Sequence, residues 1–176
     1  LGNMEIMPKP FFVSAFKEKI RNLQSGHGKD SKPPQDTSKS MDLGGLHFLV
    51  AEDNAINAEI LSELLELENA SCEITENGQL VVERFRQADE NEFDAILMDV
   101  QMPVMNGYDA TRAIRGLHRR DAAKIPIIAM TANAFAEDVK DALDAGMSAH
   151  VAKPIDMGLL KKTLGQYIER NNYETD

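Results

Sequence analysis

From Leu46 onward, five short apolar runs alternate with stretches in which apolar residues recur at helical spacing: LHFLV, CEIT, AILMD, IPIIAMT and AHVAK. After LHFLV, Asn54 can cap a helix carrying Ile60, Leu64 and Leu67 on one face. After CEIT, Asn77-Gly78 turns into a helix that buries some of Leu80, Val81 and Phe85, and AILMD is followed by a helix through Tyr108, Ala110 and Ile114. Asp138 to Ala145 is predicted helical, ended by Gly146, and Leu159, Leu160, Thr163, Leu164, Tyr167 and Ile168 line a last helix. Repeated strand-helix units need right-handed crossovers, so the pattern predicts an α/β fold with a parallel sheet covered on both faces. The third run is central to this reading. In FDAILMDVQMPVMNG, Phe93 to Gly107, an apolar run suited to a strand buried on both faces delivers a carboxylate, Asp99, before the turn residues Pro103 and Asn106-Gly107.

Upstream the pattern changes. Residues 24–45 are rich in Ser, Lys, Asp, Gly and Pro, a composition that cannot bury enough surface to offset the entropy of ordering it, and are read as a linker. Residues 1–23 have an extended start, Lys9-Pro10 and an amphipathic helix with Val13, Phe16 and Ile20. Aligning Lys9-Pro10 on Lys153-Pro154 places Gly2 on Gly146, with a helix after each, so residues 1–23 are read as the tail of a related preceding domain. The main domain is 46–170, with 171–176 a tail.

Composition narrows the function classes. The chain has 176 residues, 43% hydrophobic and 27% charged, enough for one core with appendages. A net charge of -10 argues against nucleic acid as the main partner. No segment has the apolar length of a membrane span, so direct membrane contact is not expected. The single cysteine, Cys72, suits a reducing compartment and reads as a buried structural thiol. His27, His47, His118 and His150 have no metal-ligand spacing, and Met102, Met105 and Met130 read as packing residues.

Chemistry gathers at the strand ends: Glu52 and Asp53 after the first, Asp99 after the third, Thr131 after the fourth, Lys153 after the fifth. In a doubly wound sheet of order 2-1-3-4-5 the first and third strands are neighbours, so three carboxylates converge in one crevice. Their mutual repulsion raises some of their pKa values, and a small hard cation such as Mg²⁺ relieves it.

Four segments, Glu52-Asp53-Asn54, DVQMPVMNG (99–107), MTANA (130–134) and Lys153-Pro154, resemble the receiver domain of two-component response regulators and hybrid histidine kinases. The resemblance covers about residues 46–170 and implies the flavodoxin-like five-stranded parallel fold. It implies Asp99 as phosphoacceptor, taking a phosphoryl group from a partner phosphohistidine. It also implies a metal site for Mg²⁺ (or Mn²⁺) from Asp53, Asp99, Glu52 through water and the backbone carbonyl of Gln101. Lys153 would pair with the phosphoryl group, Thr131 would turn toward it as a switch, and Lys153-Pro154 is a family site for a cis peptide. Thr131 could also simply cap a helix. His150 stands where many receivers carry Tyr or Phe as a second switch element, and a plain exposed histidine is the competing reading.

The partner implied is a histidine-bearing kinase or histidine phosphotransfer domain, docked on Asn54, Ala55 and Ile56 with Pro154 and Ile155; core burial is the competing account of Ile56. Such a domain catalyses its own phosphorylation and dephosphorylation. With nothing substantial after residue 170, the expectation is the C-terminal receiver of a cytoplasmic or membrane-anchored hybrid kinase. A non-phosphorylated pseudo-receiver acting as an interaction module is the alternative. An aspartate-nucleophile phosphatase is disfavoured because Gln101 stands where a second aspartate is needed.

Overall fold

The computed structural model describes residues 40–133 and 135–173, with side chains to Ile168. The expectations for residues 1–23 and for most of the linker lie outside them. Strands β1 (His47–Ala51), β2 (Ser71–Thr75), β3 (Ala95–Asp99), β4 (Ile127–Thr131) and β5 (Ala149–Ala152) form one all-parallel sheet in the order 2-1-3-4-5. Helices α1 (Ala55–Leu67), α2 (Gly78–Gln87), α3 (Gly107–Arg115), α4 (Ala136–Ala145) and α5 (Met157–Tyr173) connect and follow them, with a short 3₁₀ turn at Asp121–Ala123. The doubly wound α/β architecture is as the alternating pattern predicts.

Side chains alternate across a strand with period two, and the two cores follow that alternation. Phe48, Val50, Ala95, Leu97, Ile128, Met130 and Val151 pack with Leu61 and Leu65 of α1 and Leu160 and Leu164 of α5. Leu49, Ala51, Ile96, Met98, Ile127 and Ala129 face the other way, onto Val81, Val82 and Phe85 of α2, Ala110 and Ile114 of α3 and Ala142 of α4. Every residue of β3 and β4 is buried, which is why those segments read as unbroken apolar runs.

Two expectations change. On α1 the buried residues are Ala58, Leu61 and Leu65, while Ile60 and Leu67 are 38% and 64% exposed. Both sets have helical spacing, and contact with the sheet and α5 selects between them. The packed unit also begins before Leu46. Leu43, placed in the linker, is fully buried in the α1/α5 core, and the Gly45 N–H bonds to the carbonyl of Asn69 at 2.9 Å. Met41 packs against the same core, so burial of apolar side chains orders the end of an otherwise polar stretch. Before β5, Gly146 ends α4 with φ +100°, a left-handed conformation suited to glycine.

Candidate functional site

Strand register assembles the site. Ala51 of β1 lies beside Met98 of β3, so the next residue, Glu52, leaves the sheet alongside Asp99. Asp99 is paired with Met130 of β4, and Thr131 with Ala152 of β5, where the Lys153 N–H donates to the Thr131 carbonyl at 2.7 Å. Residues as far as 101 positions apart thus reach one edge of the sheet.

Lys153 holds the centre. Its Nζ donates to Glu52 Oε2 at 2.7 Å and lies 3.0 Å from Asp99 Oδ2. Glu52 and Asp99 are 3% and 6% exposed, so this is a nearly dry pair of acids sharing one ammonium. Burial lifts the Asp99 carboxyl above its ordinary range; Lys153 pulls it back and the nearby Glu52 charge adds to the rise. Burial works against the Lys153 ammonium, but its bonds to Glu52 and Asp99 outweigh that, and its pKa is raised. The remaining Asp99 oxygen accepts from the Gln101 N–H at 3.2 Å, and Glu52 Oε1 accepts from the Asn54 N–H at 3.1 Å.

Carboxylate oxygens of Glu52, Asp53 and Asp99 lie within 4.8 Å of one another. Three hard oxygen donors, two buried and one exposed, fit a divalent cation that keeps several waters. The Thr131 hydroxyl oxygen is buried and has no hydrogen-bond partner among the described residues. An orphaned hydroxyl costs free energy unless a ligand supplies its partner. It lines a cleft of about 170 Å³ with Asp99, Lys153, Gln101 and Asn133.

The loop after Asp99 is held by close backbone packing. The Gly107 N–H bonds to the Val100 carbonyl at 2.9 Å, and a Cβ at Gly107 would stand 2.3 Å from the Asp99 carbonyl oxygen. Only glycine allows that approach. Asn106 then caps α3 by accepting from the Asp109 N–H. On the far side of the cleft the Lys153–Pro154 peptide is cis.

The other expected residues are placed differently. Asn54 caps α1, accepting from the N–H groups of Ile56 and Asn57. Ala55, Ile56 and Pro154 are exposed on the same edge, Ile56 by 65%, so the core-burial account of Ile56 does not hold; Ile155 is half-buried against the α1/α5 core. His150 is half-buried in β5, opposite Ala129, and is not among the residues lining the cleft. Tyr108 and Asp138 do line it, and no motif in the sequence marks them. They arrive because α3 and α4 both start at this edge.

A parallel sheet of this order, with acids at adjoining strand ends and a lysine across from them, defines a class. Residues 48–165 match the response regulator receiver domain, and the chain belongs to that family. It is similar to the peroxide stress-activated histidine kinase mak1 of Schizosaccharomyces pombe, 32% identical over 170 residues that cover 93% of this chain and 10% of that protein. The chain thus spans about a tenth of the length of the curated relatives it matches. Among solved structures, it is similar to the receiver domain of the sensor histidine kinase PA1611 of Pseudomonas aeruginosa, described with magnesium coordinated in the active-site cleft. That pair shares 34% identity over 72% of this chain and 99% of that one, with TM-score 0.64. The receiver domain of the Saccharomyces cerevisiae response regulator Ssk1, solved with the histidine phosphotransfer protein Ypd1, is 29% identical over 73% and 92%, with TM-score 0.63. No helix among the described residues is long and apolar enough to cross a membrane.

Proposed function

We propose that this domain accepts a phosphoryl group on Asp99 from a partner phosphohistidine and either changes its surface in response or passes the group to a histidine phosphotransfer domain. The observation that carries the reading is the shared ammonium of Lys153 between Glu52 and Asp99, beside the unpartnered hydroxyl of Thr131. Phosphoryl transfer asks mainly for positioning and charge stabilisation. Asp99 is the nucleophile: one carboxylate oxygen bonds to phosphorus as the bond from phosphorus to the imidazole nitrogen breaks. Lys153, a mobile point charge, exchanges a carboxylate partner for a phosphoryl oxygen. Thr131 donates its free hydroxyl to another.

Mg²⁺ would be held by Asp53, Asp99, the Gln101 carbonyl and, through water, Glu52, and when bound it neutralises the charge gathered by the acids and the phosphoryl oxygens. Mn²⁺, with its similar preference for oxygen ligands, is the substitute. The magnesium of the related PA1611 domain supports this choice. The exposed edge of Asn54, Ala55, Ile56 and Pro154 is the docking surface for the histidine-bearing partner, a reading supported by the Ssk1–Ypd1 complex. His150, three residues before Lys153 on β5 and outside the cleft lining, acts as a second switch element by changing rotamer.

The whole protein is read as a hybrid histidine kinase. Its residues 1–23 are the tail of an upstream receiver-like domain and the stretch after them is a linker, a division supported by similarity to mak1 over 93% of the chain. A cytoplasmic site suits the free thiol of Cys72. Incubation with acetyl phosphate and Mg²⁺ should add one phosphoryl mass to the wild type and none to Asp99→Asn. A wild type that stays unmodified while folded would favour a pure interaction module.

A further inference from the structure

One side of the Asp99 cleft is supplied by the start of α4, and the side chain that α4 contributes is an acid. Asp138, half-buried, lines the cleft with Asp99, Thr131, Asn133, Tyr108 and Lys153. No Lys or Arg among the described residues forms an ion pair with it. Lys153, the only cation in the described lining, is already engaged by Glu52 and Asp99. A helix start ordinarily favours an anion, because its free N–H groups carry partial positive charge. Here Glu137 and Asp138, both in the first turn of α4, oppose that field. Asp141, a turn further on, borders an adjoining opening shared with Gln101, Met102 and Tyr108. The field is felt at the cleft wall: the Tyr108 phenol, raised first by burial, is raised further by Asp138 and Asp141.

We propose that Asp138 is an electrostatic brake on the phosphoacceptor cleft: its charge slows loading of Asp99 by small free phosphodonors and so favours a donor held in place by a docked protein surface. The inference rests on the reading of Asp99 as phosphoacceptor. With acetyl phosphate, an Asp99 oxygen bonds to phosphorus while the acyl phosphorus–oxygen bond breaks and acetate leaves with the electron pair. That donor arrives as a dianion with no docked protein surface to keep it at the cleft. A histidine-borne phosphoryl group meets the same field, but the interface between the two proteins keeps it at the cleft. Glu52 and Asp53 lie on the β1 side of Asp99, where a divalent ion would offset them. Asp138 lies on the β4 side, outside the acidic trio suited to the ion.

The test follows phosphoryl uptake by intact mass in the full chain, with acetyl phosphate and saturating Mg²⁺, at low ionic strength and at about 0.3 M salt, where the Debye length falls well below 10 Å. Asp138→Asn should load roughly three- to ten-fold faster than wild type at low salt, as expected for removing a like charge near the surface, and most of that gain should vanish at high salt. Asp138→Glu should keep the wild-type rate, and Asp144→Asn, an exposed acid on α4 outside the cleft lining, should leave it unchanged. Beryllofluoride affinity, which involves no leaving group, should follow the same order. Asp138→Ser, which suits a helix start, serves the same comparison if the asparagine variant does not fold. A gain that ignores salt, or a folded neutral variant that loads no faster than wild type, overturns the inference. If the wild type takes up no phosphoryl group at all, the phosphoacceptor reading fails and this inference with it.

Discussion

The two ends of the strands use their charges in opposite ways. At the edge where the strands begin, two arginines are each paired with acids and bonded to their surroundings. Arg84 forks onto Glu73 at 2.7 and 2.8 Å, also bonds to Glu92, and lies over the Phe93 ring. Arg119 grips Asp121 at 2.7 and 2.8 Å, donates to the carbonyls of Phe85, Ala88 and Asp89, and stacks on Phe85. Burial works against the Asp121 charge, but Arg119 and the Asn91 N–H hold its carboxyl below the usual range. At the edge where the strands end, three acids crowd together, one lysine serves two of them, and a buried hydroxyl has no partner. A satisfied network contributes stability; an unsatisfied one holds binding capacity in reserve.

The sharpest way to break that contrast is to cut the satisfied edge. Arg119→Ala leaves Asp121, 8% exposed, without its partner and frees several carbonyls, and should cost about 3 kcal/mol in urea unfolding, within the range for breaking a buried pair. Its effect should depend on pH with a definite sign. A carboxyl depressed in the folded state contributes stability above its unfolded pKa and loses it as pH falls through the lower folded value. The wild-type advantage should therefore shrink on acidification. Phosphoryl uptake by the folded fraction should be unaltered, and a lost uptake would mean the two edges are not separable.

Next in size is Gly107→Ala, which forces the Asp99 carbonyl and the added methyl apart from 2.3 Å. Backbone must move to relieve it, so we expect a loss of about 2 kcal/mol and weaker Mg²⁺ binding, in line with the usual cost of overpacking. Gly116→Ala, whose nearest contact would be 3.4 Å, is the control and should be near neutral. Equal effects of the two would remove the close approach at Asp99 as a constraint.

The smallest effect tests the unsatisfied edge itself. Asp99 has a raised carboxyl, so its ionisation opposes folding: the stability it contributes is present below its unfolded pKa and lost as pH rises through the folded value. Without divalent ions, Asp99→Asn should be slightly more stable than wild type near neutral pH, with the difference vanishing in acid. Added Mg²⁺ should raise the wild-type midpoint through linkage and move Asp53→Asn much less. Thermal melts with and without the ion decide this; a destabilised Asp99→Asn at neutral pH would show that the Lys153 pair outweighs burial.

Much of this was legible in the chain. The unbroken apolar character of AILMD and IIAMT reports strands covered on both faces, and the acids, threonine and lysine that follow such runs are carried to one edge by parallel topology. The face of α1 was not legible, because Ile60-Leu64-Leu67 and Ala58-Leu61-Leu65 satisfy the same helical period. Nor was Leu43, which sits between Asp42 and Gly44-Gly45 at the end of a stretch rich in Ser, Lys, Asp and Pro. Asp138 and Tyr108 carry no spacing signal toward Asp99, since loop paths bring them to the cleft.

By itself, then, the order of residues determined the parallel α/β architecture and the convergence of Glu52, Asp53, Asp99, Thr131 and Lys153, because period and strand order are local and combinatorial properties. Tertiary structure decided which ammonium serves which carboxylate, which hydroxyl is left unpartnered, and which acid of α4 faces the cleft. Those depend on distances of a few ångströms between segments far apart in the chain, and short-range electrostatics is settled at that scale.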